Sequence, residues 1–331
     1  MSSSRPLQVD PPSRLHKAKR TMLIFIGKRL IYMLLTMFAI SLILFLVMEI
    51  NGEAVARRVL GPFTSAEQIQ AWLEANGYLR PWYVRYVEWL GNVLSGDFGQ
   101  SVRFRTPVSQ VLWPRLGNTA ILAGATFAIM VPLALTLGVL AGMREGSRTD
   151  RTITVASVVT TSIPEFASAV LLTVLFSTWL GWLPGTSTMS DGWDPVELIL
   201  PVMVLVLYGF GYIARMTRAS MAEVMQQLYI RTAVLKGLPY RTVILRHALR
   251  NAMIAPFTVI MLQINWLLSG VIVVEVAFAY KGFGSLILEA ALNQDVYLLE
   301  AATMVAVLVA VSTQMLADVG YTLLNPRIRF K

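Results

Sequence analysis

Residues 219–256 read ASMAEVMQQLYIRTAVLKGLPYRTVILRHALRNAMIAP and stand between two long apolar runs. Met221, Val224, Met225, Leu228, Thr232 and Leu235 recur at the spacing of one α-helical stripe. Gly237 and Pro239 end that helix. Arg246 and Arg250 then share a face of a short basic helix that leads into the next apolar run. The pattern alone leaves two readings open. One is an amphipathic helix resting on anionic lipid. The other is a knob that seats in a groove of a partner protein, with Gly237 permitting a sharp turn and close approach.

Composition sets the context for this segment. Of 331 residues, 56% are hydrophobic and 14% charged, where a soluble domain carries about 25% charged residues. The apolar residues come in long blocks, which indicates a polytopic membrane protein. The net charge of +9 arises largely from basic residues beside those blocks. They read as topology signals and lipid-headgroup contacts rather than a nucleic-acid surface. With no cysteine and only His16 and His247, the sequence offers no thiolate or histidine-rich metal site and no thiol nucleophile.

Six runs approach the ~20 residues that a helix needs to cross the hydrocarbon core. They are 30–48, 116–143, 152–180 (broken only by Glu165), 198–214, 251–274, and 301–317 with an extension toward Leu323. The expected fold is all-α, a polytopic membrane protein with six transmembrane helices. The expected division is a basic tail over 1–27, a first span over 28–49 and an external loop region over 50–115. A five-helix core over 116–323 follows, containing the loop 215–250, and a tail over 324–331 ends the chain. Residues 1–21, polar and basic, are expected to be disordered. The run of 19 apolar residues is too long for the core of a cleaved signal peptide, although Ala54-Val55-Ala56 mimics a cleavage site.

Basic residues cluster before the first span, at 144–151, at 215–250 and at the C-terminus. All four clusters belong on the cytoplasmic side, so both termini are expected there. The arginine-containing loop 50–115 breaks the pattern, but it is about 66 residues long and loops of that length cross largely regardless of charge. Its two amphipathic stripes, Ile69-Trp72-Leu73 and Trp82-Tyr83-Tyr86-Trp89-Leu90-Val93, suit a folded cap on the outer surface, a docking surface, or both. Glu165 follows Pro164 in the third run. An ionisable group at that depth is costly and usually faces a cavity or a partner. It suits a pore-facing residue at a helix break, or a structural acid that pairs with an arginine of this chain or bonds backbone groups freed at the proline. It is the one acid expected to lie deep; Glu300 and Asp318, near predicted span ends, are given no substrate role.

The stretch Tyr229-Ile230-Arg231-Thr232-Ala233-Val234-Leu235-Lys236-Gly237, followed by Arg246-His247-Ala248-Leu249-Arg250-Asn251-Ala252, resembles the loop of inner-membrane permease subunits of ABC importers. The dipeptide/oligopeptide/nickel branch is the nearest in pattern. The general importer motif is Glu-Ala-Ala, three residues, then Gly; here Arg231-Thr232-Ala233 precedes Gly237 and the glutamate is absent. Other stretches resemble the same branch: Lys28-Arg29-Leu30, Gly96-Asp97-Phe98-Gly99-Gln100-Ser101, Gly117-Asn118-Thr119, Ser162-Ile163-Pro164-Glu165-Phe166, the segment from Glu275 to Gly284, and Asn325-Pro326-Arg327-Ile328-Arg329.

The resemblance implies a type I ABC importer permease-like fold in a bacterial inner membrane. It implies a second, similar permease in a heterodimer, two cytoplasmic ABC ATPases and a periplasmic solute-binding protein, with no nucleic-acid partner. Residues 226–240 would form the coupling helix, with Tyr229, Arg231, Thr232, Ala233, Lys236, Gly237 and Arg246 at the ATPase contact, and Pro164 and Glu165 on the translocation pathway. The chain lacks a Gly-x-x-x-x-Gly-Lys-Ser/Thr loop, so it is expected to be no enzyme. It would carry no cofactor of its own, ATP and Mg residing on the ATPases. The implied function is a permease subunit of an ATP-driven importer for peptides or related small solutes. The alternatives are a stand-alone secondary transporter with Glu165 as proton relay, and a membrane scaffold.

Overall fold

A computed structural model describes residues 12–61, 63–190 and 192–324. The expectations for residues 1–11 and for the Asn325–Arg329 motif lie outside these residues. Among the described residues the chain is helical, with a single isolated bridge between Gln100 and Pro107.

Helix α1 (Pro12–Glu49) is followed by three shorter helices, α2 (Gly52–Leu60), α3 (Ala66–Ala75) and α4 (Trp82–Ser95). The membrane core comprises α5 (Val108–Gly142), α6 (Arg148–Ser162), α7 (Glu165–Thr173, continued by a π-helical turn to Trp179) and α8 (Ile199–Met225). Then come α9 (Leu228–Leu235), α10 (Tyr240–Thr242), a π-helical segment over Val243–Ala248, α11 (Leu249–Ala252), α12 (Ile254–Ala277), α13 (Phe283–Leu292) and α14 (Val296–Leu324). Among the described residues four helices are long and apolar enough to cross a membrane. Two bent pairs bring the number to six if each pair counts as one span.

Several boundaries differ from those read in the sequence. Helix α1 runs back to Pro12, into the stretch expected to be disordered. The second span begins at Val108 rather than near 116, taking Pro114 and Arg115 into the helix; Arg115 approaches Glu289 of α13 at 3.9 Å. The third run is not a straight helix. Helices α6 and α7 meet at 99°, because Pro164 forces Ile163 into an extended conformation (φ −86°, ψ 123°) and then caps α7. The fourth span continues past 214 to Met225, so Arg215 and Arg218 are helical residues.

Close approach of α5 and α8, the most extensive helix pair, organises the core. Gly138 and Gly142 form a small-xxx-small face on α5. A Cβ on Gly138 would sit 2.5 Å from Thr217 Cβ, and one on Gly142 2.6 Å from the Arg218 carbonyl oxygen. Lipid supplies no hydrophobic drive for helix association, so backbone proximity of this kind carries the packing. Leu122, Met130, Leu205, Ile213, Leu267 and Phe278 fill the buried interior around it. Helix α1 stands at the periphery, packed mainly on α14.

Candidate functional site

One end of the bundle carries the segment quoted first. The expected single stripe from Met221 to Leu235 is broken: α8 stops at Met225, Gln226 and Gln227 form a turn, and α9 starts at Leu228 on a new axis. Met221 is fully buried, whereas Leu228 and Leu235 are 79% and 80% exposed. The buried side of α9 is instead Ile230 and Ala233, which pack with Val243, Ile244, Ala248 and Ala252. The break thus turns the apolar Leu228–Leu235 edge outward.

Gly237 closes α9 with both hydrogen bonds of a Schellman motif. Its own N–H donates to Val234 O at 2.9 Å, and the Leu238 N–H donates to Ala233 O at 3.4 Å. The turn requires φ +74° at Gly237. A left-handed residue here lets the chain reverse into Pro239, which caps α10. Side-chain contacts hold the reversal in place: Asn251 Nδ2 donates to Tyr229 Oη at 3.0 Å, and Ser220 Oγ donates to the Ala252 carbonyl at 2.8 Å.

The structure therefore gathers Tyr229, Arg231, Thr232, Lys236 and Gly237 on one exposed knob, with Arg246 exposed on the adjoining π-helical segment. Ala233 lies beneath it as an anchor. Thr232 turns its hydroxyl back to Leu228 O at 2.9 Å.

A clasp not anticipated from the sequence sits beside the knob. Asp150 is capped into the first turn of α6 by Ser147 and receives a bidentate pair from Arg218 of α8: Nε to Oδ1 at 2.9 Å and Nη2 to Oδ2 at 2.8 Å. Glu145 adds a second contact to Arg218 at 3.5 Å. Ser147-x-x-Asp150 is a capping pattern that signals the helix start. Nothing in the sequence pairs Asp150 with an arginine 68 positions away.

Pro164 and Glu165 lie on a separate element, at the elbow between α6 and α7. Glu165 occupies the first position of α7. Its Oε2 is buried without a hydrogen-bond partner, and no arginine or lysine pairs with it among the described residues. The arginine partner that one reading of Glu165 expects is not found among the described residues. Beside it Phe166, Val170 and Leu171 are each about 60% exposed, an apolar strip with no cover in a single chain.

At the opposite end, two signatures 156 residues apart meet. The Glu275 carboxylate, completely buried at the end of α12, accepts from the Thr119 hydroxyl of α5 and from the Ser285 N–H at 2.7 Å. The same Thr119 oxygen accepts the Phe283 N–H at 2.7 Å. A carboxylate at the N-terminus of α13 satisfies amides that the helix cannot. Gly282 is required there, because any Cβ would overlap the Glu275 carboxylate. Tyr280 Oη donates to Asn118 O, and Asn118 Nδ2 to Lys281 O, each at 2.7 Å. Both stretches stood out in the sequence, but Glu275 had no role there. Glu165 is not the only buried acid: Glu49, Glu275 and Glu300, each near the end of a helix, are more buried within the protein. Asp318, read as lying near a span end, meets Arg29 of α1 at 2.9 Å.

A bundle of membrane-spanning helices, bent at two of its spans and carrying an exposed knob at one end, defines a multi-pass membrane protein. The chain belongs to the family of binding-protein-dependent transport system inner membrane components, whose model matches residues 134–330. It is 32% identical over 313 residues to the oligopeptide transport system permease protein AppB of Bacillus subtilis, covering 92% of this chain and 99% of that protein. It is 34% identical over 307 residues to a putative peptide transport system permease protein of Brucella abortus, covering 92% and 98%. It is 33% identical over 310 residues to the glutathione transport system permease protein GsiC of Escherichia coli K12, covering 94% and 100%.

Proposed function

We propose that this chain is the permease subunit of an ATP-driven importer for peptides or related small solutes, and that the α9 knob receives the mechanical input. The observation that carries this is the exposed, rigidly closed α9–Gly237 turn. Leu228 and Leu235 lie open on it beside Arg231 and Lys236, while Ile230 and Ala233 tie it to the core beneath. Such a surface suits a groove on a cytoplasmic ATPase. Motion there is passed through α8 to the Asp150–Arg218 clasp and to the α6–α7 elbow, since α6, α7 and α8 are in direct contact. ATP and Mg belong to the ATPase. The substrate class follows the relatives named as oligopeptide, peptide and glutathione permeases.

The basic clusters support a cytoplasmic side for the knob and both termini, with α13 outside. The uncovered strip at Phe166, Val170 and Leu171 suits a second permease, with the two subunits enclosing the pathway and Glu165 facing it. A solute-binding protein delivers to the α13 side. Two ATPases and a heterodimeric pair of permeases complete the assembly. Membership of a binding-protein-dependent family disfavours the stand-alone proton-coupled alternative.

The test is co-expression of the chain with its candidate partners, followed by uptake of labelled dipeptide into proteoliposomes. Uptake that needs internal ATP and an added binding protein supports the assignment. Uptake by the chain alone, driven by a proton gradient, contradicts it.

A further inference from the structure

Away from the knob and the elbow, α4 and the start of α14 enclose a cavity of about 110 Å³ lined by Trp89, Val93, Asp97, Phe98, Tyr297 and Glu300, among others. Glu300 is 2% exposed. The Trp89 indole N–H donates to its Oε2 at 2.9 Å, and Oε1 is buried with no partner. No cationic side chain pairs with Glu300 among the described residues. The neighbouring buried acid, Glu49, has Arg85 at 3.8 Å and the Tyr78 hydroxyl. The cluster thus holds two buried carboxylates and one guanidinium. A buried carboxylate oxygen without a partner is costly and calls for a donor.

The walls say what kind of donor fits. Val93 and Phe98 are apolar, Trp89 and Tyr297 are aromatic, and Asp97 adds a second carboxylate at the rim. Among the described residues no three His, Cys, Asp or Glu side chains gather to hold a metal ion. Aromatic faces with carboxylates suit an organic cation. A space of about 110 Å³ admits a small group such as an ammonium on a short carbon stem. We propose that this cavity binds a primary ammonium group, its charge meeting Glu300 and Asp97 and its methylene stem lying against Val93 and Phe98. Two sources share that chemistry, the free amine of a small solute and a lysine side chain of a docking protein.

The assignment rests on the cavity and not on the transport reading, so binding can be tested without transport. The full-length chain, with whatever subunits co-purify, is placed in nanodiscs and its melting temperature followed against ethylammonium chloride, with tetramethylammonium chloride as control. The wild type is expected to show a saturable rise with ethylammonium and none with tetramethylammonium. Glu300→Gln, which keeps the shape and removes the charge, is expected to lose at least about tenfold in apparent affinity, the loss of one charge-assisted contact. Should Glu300→Gln fail to assemble, Val93→Phe, which fills the cavity, is expected to lose the response equally. An equal response in wild type and variant, or an equal response to both salts, overturns the proposal. A rise with a dipeptide but not its N-acetylated form assigns the amine to the solute. Indifference to both dipeptides, with ethylammonium binding retained, assigns it to a lysine of a partner.

Discussion

Replacing Gly237 separates the two things the knob must do, fold and fit. At φ +74° an L-residue in the left-handed region costs about 1–2 kcal/mol. A Cβ there has no heavy atom within 4 Å, so no clash adds to that cost in the isolated chain. The penalty falls on one eight-residue helix held by Ile230 and Ala233, and not on the membrane core. Gly237→Ala therefore shifts the closed turn roughly 5–30-fold toward open forms, while insertion and bulk thermal stability stay unchanged. Gly237→Asn, which tolerates the left-handed region better, is expected to recover most of the loss. Gly237→Trp carries the backbone cost and also places bulk on the exposed face, so it is expected to uncouple ATP hydrolysis from uptake. The assay is the ratio of solute imported to ATP hydrolysed in proteoliposomes for the three variants, each normalised to membrane content. Full coupling in Gly237→Trp refutes the docking argument. An Asn variant no better than Ala refutes the backbone argument.

Further outcomes follow from the clasps and the elbow. Asp150→Ala removes both bonds to Arg218 and is expected to cost about 1–3 kcal/mol, seen as a lower melting temperature; exchanging the pair as Asp150→Arg with Arg218→Asp should restore part of it, and no loss on the first change contradicts the clasp. Gly282→Ala drives a Cβ into the Glu275 carboxylate, displacing at least one charge-assisted bond at about 1.5–3 kcal/mol; a melting temperature equal to wild type is incompatible with that packing. Glu165→Gln is expected to alter the preference among charged and neutral dipeptides while leaving assembly intact, and unchanged uptake across such a panel removes Glu165 from the pathway.

What the sequence revealed, and what it withheld, divides along physical lines. Long apolar runs expose the cost of placing backbone and charge in lipid, so the spans could be read directly. The ends of α5 and α8 could not, because Arg115, Arg215 and Arg218 look like interface markers although the structure pairs Arg115 with Glu289 and Arg218 with Asp150. Pro164 announced a break, but its 99° angle depends on how α7 packs against α8 and α12. The stripe from Met221 to Leu235 has helical spacing, yet Gln226 and Gln227 form a turn that periodicity alone does not register. Gly237 was legible as a turn because few other residues end a helix that way. The buried acids were not legible, since burial at Glu275 and Glu300 comes from contacts with Thr119, Ser285 and Trp89, all distant in sequence or across a turn.

The absence of native cysteine makes a single introduced thiol unambiguous. Lys236→Cys, at the exposed end of α9, should be cross-linked to an ATPase subunit by a short thiol-reactive bridge, with a yield that changes when ATP is bound. The same thiol should resist a membrane-impermeant reagent added from outside intact cells. Labelling from outside, or a thiol at this position that never captures an ATPase under any nucleotide condition, contradicts the account.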